Sequence, residues 1–332
     1  VPATTRTFDL LTPHAILDAV ESAWGLRLDG TLSAYHSYVN RVFAVGTEEG
    51  TAYVAKFYRP GRWTEEAILD EHQFVLECAE AELPVAAPLP DPDGATLQSV
   101  ELEAVGQSEE FFFALYERRG GLAFDAERDE DWLRLGRLVG RMHGVALRSP
   151  APHRLECGPG ASSARFLDEL EAAGVVHPSC REEFFALARG SLAEVAPRFD
   201  GVPLQRIHGD CHRGNILDRP GEGLLLIDFD DMMNGPAVQD LWLLLPDRAS
   251  ASRRELSLVL EGYEEFRPFD RTGLALIEPL RLMRMLYFLA WSARQRDDRR
   301  FLEANPGWGT EAFWIREIED LRDQREAIGA EG

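Results

Sequence analysis

The chain has 332 residues, more than the roughly 100–200 of one ordinary domain, so two domains or lobes are expected. Apolar residues make up 45%, enough to build cores and too many for a disordered chain. The formal charge of −22 excludes a general binder of nucleic acid, whose working face is normally basic, but not a small anion held locally. The 35 cations are unevenly chosen: 34 are Arg and one is Lys, Lys56.

The first element expected in chain order is a helix opened by Thr12-Pro13, with Thr as N-cap, Pro in the first turn and Gly25 past the end. Two strands follow, Asn40–Val45 and Thr51–Tyr58, joined by the polar turn Thr47-Glu48-Glu49-Gly50. Thr64 caps a helix to about Glu82, with Ile68, Val75, Ala79 and Leu83 on or near one face. Two more strands are expected near Thr96–Leu102 and Glu110–Glu117. The break Arg118-Arg119-Gly120-Gly121 marks the boundary, which gives a β-rich lobe over 1–117 and a mostly helical lobe over 118–332. Beyond it helices are expected at about Asp131–Leu147, Ala164–Ala173, Ser179–Val195, Val238–Leu245, Arg253–Phe266 and Thr272–Arg294. Short strands fall between them at Gln205–His208, Ile216–Leu217 and Leu224–Ile227, and the acidic end Glu317–Gly332 reads as a solvated helix and frayed tail. The fold class is therefore α+β, a small antiparallel β lobe with one long helix plus a larger helical lobe.

Cys78, Cys157, Cys180 and Cys211 show no metal or disulfide spacing and read as free thiols of a cytoplasmic protein. No apolar run approaches the length of a membrane span, and the N-terminus lacks the pattern of a signal peptide, so neither membrane nor nucleic acid is expected as a partner.

The chemistry concentrates in Gln205–Leu217, QRIHGDCHRGNIL, and in the later LLLIDFDD. Asp210 and Asn215 are five apart, the spacing of the catalytic loop H-R-D-x-x-x-x-N, and Asp228 ends an apolar strand as the Asp of D-F-G does. Asp210 would accept or orient the proton of a substrate hydroxyl. Asn215 and Asp228 would offer hard oxygens to Mg²⁺, which takes few protein ligands beside phosphates and water. His208, Asp210 and His212 also permit a transition-metal reading, against which His208 as a structural loop histidine is the simpler one.

Lys56 shares a strand face with Val54, and phosphoryl transfer needs a compact cation at the nucleotide phosphates, held by a carboxylate from a nearby helix. Glu71 is the expected partner because it lies one turn from both Ile68 and Val75, whereas Glu65 and Glu66 suit the helix dipole. There is no G-x-G-x-x-G. The corresponding turn Ala34–Arg41 offers Ser37 to a phosphate, while Arg41 fits either a phosphate contact or an exposed strand cation. Val54, Leu217 and Ile227 are candidate walls for adenine, each equally explained as core, with backbone hydrogen bonds from Tyr116-Glu117-Arg118.

The motif H-G-D-x-H-x-x-N followed by I-D-F-D resembles the aminoglycoside phosphotransferase/choline kinase branch of the protein-kinase-like fold. SYVNRVF, VAKFYRPGRWT, NGPAVQDLW and IEPLRLMRMLYFLAW extend the likeness to a bacterial Ser/Thr protein kinase group, from near Phe8 to near Trp314. The resemblance implies ATP and Mg²⁺, Asp210 as proton acceptor, Asn215 and Asp228 as metal ligands, Ser37 near ATP, a cytosolic protein and a role in stress response and cell survival; a monomer is expected. It also implies that Asp240 hydrogen-bonds the backbone of the catalytic loop. No Ser, Thr or Tyr lies between Asp228 and Asp240, which excludes a phosphorylated activation loop there. The acceptor expected is a protein hydroxyl. A small alcohol such as an amino alcohol or aminoglycoside is the alternative, with Asp230 and Asp231 either suiting a cationic substrate or standing as solvated turn carboxylates. A nucleotide-binding pseudokinase is a third reading, against which the intact residue set counts.

Overall fold

A computed structural model describes residues 7–330 apart from His36, Tyr38, Val105 and Gly106. In chain order the elements are α1 (Pro13–Trp24), β1 (Leu28–Ala34), β2 (Arg41–Thr47), β3 (Ala52–Phe57), α2 (Glu65–Glu80), β4 (Gln98–Ala104), β5 (Gln107–Glu117) and β6 (Leu122–Ala123). Then come α3 (Asp129–Val145), α4 (Ala164–Ala173), α5 (Arg181–Val195), β7 (Gln205–Ile207), β8 (Ile216–Arg219), β9 (Gly223–Leu226), β10 (Met233–Gly235) and α6 (Val238–Trp242). The last are α7 (Arg253–Glu264), α8 (Ile277–Arg294), α9 (Arg299–Ala304) and α10 (Glu311–Ala330).

The chain divides into two compact units that are discontinuous in sequence. The first holds residues 1–124, 151–153 and 214–230, and the second 125–150, 154–213 and 231–332.

The first unit is built on an antiparallel sheet of order β1-β2-β3-β5-β4. Alternation along β3 gives its two faces different work. Ala55 and Phe57 join Val45, Phe111, Phe113 and Leu115 under Ile16, Val20 and Trp24 of α1. Val54 and Lys56 face the other way, as Tyr58 does in its cluster with Ile68 and Ala114. The caps form as the sequence dictates: Thr12 Oγ1 accepts from the Ala15 amide, Gly25 ends α1 at φ 64°, and Thr64 Oγ1 accepts from the Ala67 amide. The hairpin β8–β9 belongs to this unit and pairs with β6 and, through Leu226, with Val85.

The second unit is mostly helical, with a core in which α4, α5, α8 and α10 meet. Helices α3 and α7 pack backbone to backbone at their glycines. A Cβ on Gly136 would stand 2.0 Å from the Val259 carbonyl oxygen, and one on Gly262 2.2 Å from that of Leu133. Glycine is required at both positions by backbone proximity.

Several elements depart from the sequence reading. The strand β1 was not expected, because its alternation lies mostly in polar and small residues. The helix expected at Thr272 begins with a tight 3₁₀ turn, Arg271–Leu276, and becomes α-helical only at Ile277. The expected solvated C-terminal helix is instead anchored: α10 buries Trp314, Ile318, Leu321, Gln324 and Ile328, a stripe that interrupts its acidic surface. Glu331 and Gly332 lie outside the described residues. All four cysteines are free and buried. Among the described residues no helix is long and apolar enough to cross a membrane.

Candidate functional site

In the first unit the single lysine sits among carboxylates. Lys56 Nζ lies 3.1 Å from Asp230 Oδ1, 3.5 Å from Glu71 Oε1 and 3.6 Å from Asp228 Oδ1. Its cross-strand neighbours are Val42 and Ala114, and Val54 stands between Ala44 and Tyr116. The Lys56 ammonium also lies 4.6 Å from the centroid of the Tyr58 ring. The Tyr58 hydroxyl is 2.9 Å from His72 Nε2 and 3.2 Å from the Tyr116 hydroxyl. Burial opposes the charge on Lys56, but Asp230, Glu71 and Asp228 outweigh it and hold the ammonium well above its ordinary range.

Glu71 is reached because α2 turns Ile68, Glu71 and Val75 inward together. Asp228 is presented differently. It follows β9 in the left-handed region at φ 61°, and its side chain is 56% exposed while those of Lys56, Glu71 and Asp230 are buried. Aspartate tolerates that conformation at a cost of about 1 kcal/mol, and such strain is retained where the surroundings fix it. The Ile227 amide donates to the Asn215 carbonyl at 2.9 Å, so Asn215 and Asp228 stand at the same end of the β8–β9 hairpin. One exposed carboxylate and one amide suit a hard divalent cation that keeps water and phosphate in its shell. Among the described residues, no group of three or more His, Cys, Asp or Glu is arranged to hold a metal, so His208, Asp210 and His212 do not form a transition-metal site.

Leu217 pairs with Leu225, and Ile227 continues that hairpin face two residues on. Glu117 ends β5 opposite Tyr53. The Arg118 amide donates to the Ala52 carbonyl, so that pairing is a non-hydrogen-bonded one and the Glu117 amide and carbonyl point away from β3. This removes the Arg118 amide from the set expected to meet a base, and the Glu117 backbone turns to the side where Pro88 bridges Tyr116. Ser37 lies in the turn after β1, where its carbonyl accepts from Arg41 Nη1 at 3.1 Å. The guanidinium of Arg41 also lies 4.2 Å from the Phe8 ring centroid, so it braces that turn. His36 and Tyr38 of the same turn lie outside the described residues.

In the second unit Asp210 follows a tightly held loop. Asp240 is fully buried, and its carboxylate accepts from the amides of His208 at 2.7 Å and Gly209 at 2.9 Å, with His143 Nε2 3.0 Å away. The other nitrogen of His143 is 3.1 Å from the Tyr263 hydroxyl. Gly209 has φ 82°, and a Cβ there would meet the Asp231 carbonyl oxygen at 2.1 Å. His208 is buried, and its Nδ1 accepts from the Asp210 amide at 3.3 Å. Asp210 pairs with Arg284 of α8 and stands 3.5 Å from His212 Nε2. Burial would raise the carboxyl, but His212, Arg284 and His208 together hold it below its ordinary value, so it is ionised at neutral pH.

The phosphotransferase enzyme family matches residues 31–277, three quarters of the chain. The chain belongs to this family. Within it, this phosphotransferase is a homologue of stress response kinase A. The relative of that name from Escherichia coli (strain K12) is 36% identical over 323 residues, 97% of this chain and 95% of its own. The serine/threonine protein kinase RdoA of Salmonella typhimurium (strain LT2) is 37% identical over 329 residues, with the same coverage. Among solved structures, amicoumacin kinase hAmiN in complex with AMP-PNP, Ca²⁺ and Ami superposes with a TM-score of 0.74 at 18% identity, covering 95% of each chain. Spectinomycin phosphotransferase in complex with ADP and spectinomycin gives 0.62 at 13%, covering 95% of this chain and 98% of its own. These likenesses show the fold of the phosphotransferase, α+β with an antiparallel sheet and a larger helical part.

Sequence reasoning misread two residues of this phosphotransferase, Asp230 and Asp231, and missed four, Arg62, Arg284, His143 and Tyr263. Asp230 is neither a solvated turn carboxylate nor open to a substrate cation, because it is buried against Lys56 and Arg62. Asp231 accepts from the Tyr287 hydroxyl at 2.8 Å. Arg62 and Arg284 gave no signal, since two arginines among 34 cannot be singled out by type. His143 and Tyr263 are separated from Asp240 in sequence and converge only through α3–α7 packing.

Proposed function

We propose that this phosphotransferase moves the γ-phosphoryl group of ATP to a Ser or Thr hydroxyl of a protein, with Mg²⁺ as the metal. The observation that carries the nucleotide part is the buried Lys56 with Glu71 and the exposed Asp228 at van der Waals reach of its ammonium. Lys56 serves as the compact cation for the phosphates, with Glu71 fixing its direction. Asp228 and Asn215 would hold Mg²⁺, which when bound neutralises charge on the phosphate oxygens. Val54, Leu217 and Ile227 supply apolar walls for adenine, the Glu117 backbone supplies its edge contacts, and Ser37 is the candidate phosphate contact of the β1–β2 turn. Asp210 accepts the proton of the attacking hydroxyl, and its low pKa suits it to orient that hydroxyl throughout the neutral range. Asp240, through His208 and Gly209, fixes the loop that carries it.

The protein acceptor is supported by the extent of the likeness to stress response kinase A and to the serine/threonine protein kinase RdoA, which runs through 97% of the chain rather than the catalytic motifs alone. The same likeness supports a role in stress response. The test is transfer of label from γ-labelled ATP, with Mg²⁺, to generic protein substrates and to the protein itself. Phosphoserine or phosphothreonine is expected, and Asp210→Asn should reduce its formation by roughly 10²–10⁴-fold while ATP still binds. Release of ADP with small alcohols but never with protein would overturn the protein acceptor and leave the nucleotide chemistry standing.

A further inference from the structure

Arg62 has no part in the reading above, yet it is buried with the lysine it resembles. The turn Arg59-Pro60-Gly61-Arg62 places it. Pro60 and Gly61 occupy the central positions, Gly61 has φ 72°, and the Arg62 amide donates to the Arg59 carbonyl at 3.2 Å. The side chain is 5% exposed, and Nη2 lies 3.0 Å from Asp230 Oδ2, while Asp230 Oδ1 faces Lys56 Nζ at 3.1 Å. Asp230 is therefore a bridge between two buried cations, and it is nearer to Lys56 than Glu71 is.

The charges explain why a bridge with two cations is useful. Lys56 meets Asp230, Glu71 and Asp228, three carboxylates around one ammonium. A lysine so surrounded has little attraction left for a phosphate. With Asp228 turned to a divalent cation, two buried carboxylates still compete with the phosphate for Lys56. A second buried cation on the far oxygen of Asp230 balances one of them.

We propose that Arg62 is a positioning residue for the nucleotide phosphates: by taking up the charge of Asp230, it leaves Lys56 available to bind them. The proposal rests on the nucleotide part of the proposed function. It makes a demand that a purely structural arginine does not make, because the effect must fall on phosphate recognition and spare the base and ribose.

The experiment measures binding rather than turnover. Dissociation constants for Mg·ATP and for adenosine are determined by calorimetry for the wild type, Arg62→Gln, Arg62→Lys and the double variant Arg62→Gln/Asp230→Asn. Arg62→Gln should weaken Mg·ATP by about tenfold relative to adenosine, the equivalent of one modest charge interaction. Arg62→Lys should recover most of that loss. The double variant should also recover it, because the carboxylate that Arg62 balanced is gone. An unchanged ratio of the two constants in Arg62→Gln, or a double variant no better than the single one, overturns the proposal and leaves the nucleotide reading intact. A wild type that binds neither Mg·ATP nor adenosine overturns that reading and this proposal with it.

Discussion

At Lys56 the choice between the two basic side chains is a matter of shape. An ammonium presents one compact charge to Asp230, Glu71 and Asp228 at once, whereas a planar guanidinium is larger and spreads its charge over a fork. The Lys56→Arg variant should therefore lose roughly 100-fold or more in phosphoryl transfer. Its melting temperature should stay within a few degrees of wild type, because the charge is kept. Transfer at the wild-type rate would remove Lys56 from the nucleotide site. Asp228 makes a complementary prediction. Its φ of 61° suits Asp and Asn but not most other residues. Asp228→Asn should keep the wild-type melting temperature and raise the Mg²⁺ concentration needed for half-maximal nucleotide binding by about tenfold or more. Asp228→Val should also unfold at lower temperature, since a β-branched side chain is strained there. The compositional isolation of Lys56 made it legible in the sequence, while Asp228 was legible as the end of an apolar strand. The strained backbone of Asp228 was not, because aspartate occurs in both conformations.

Helices and strands were legible where local rules decide them. Thr12, Pro13 and Gly25 bound α1, Thr64 opens α2, and alternation sets the two faces of β3. Elements whose residues are explained only by a distant partner were not. The glycines Gly136 and Gly262 look like helix weakeners in sequence, at a cost of about 1 kcal/mol each. In the fold they let the backbones of α3 and α7 approach, and α7 then brings Tyr263 to His143, which supports Asp240. Gly262→Ala should raise the helix propensity of α7 yet destabilise the protein by about 3 kcal/mol, since the new methyl meets the Leu133 carbonyl. Chemical denaturation would show this as a lower midpoint with an unchanged slope. A stabilised variant would mean that the two helices are not in contact there. The error at α10 has the same origin. Its acidic residues are what a reader sees first, but five side chains spaced along one stripe, from Trp314 to Ile328, decide where the helix lies.

On the scale of the whole molecule, an excess of 57 acidic over 35 basic residues leaves some carboxyls beside other carboxyls, and burial then adds to their cost. Glu317 of α10 is pushed up to about 7, first by burial and then by Asp320, with Arg316 opposing. A carboxyl raised in the folded state binds its proton more tightly there than in the unfolded chain. Stability from this group therefore falls as pH rises from its ordinary value of 4.5 through about 7. Glu317→Gln should raise the melting temperature at pH 8 by about 1–2 °C and leave it unchanged at pH 4.5. A gain of equal size at both pH values would trace it to packing instead of charge.

By itself the sequence determined the chemistry on offer. Asp210 and Asn215 five apart, Asp228 at the end of an apolar strand, one lysine among arginines and the caps of the first helices are all local patterns, because spacing and backbone preference act within a few residues. Tertiary structure alone decided how those groups are charged and held. Which of 34 arginines is buried beside Asp230, which pairs with Asp210, and which histidine supports Asp240 depend on chains meeting at a distance of tens of residues. An arginine carries the same charge everywhere in a sequence, and only burial and its neighbours determine what that charge does.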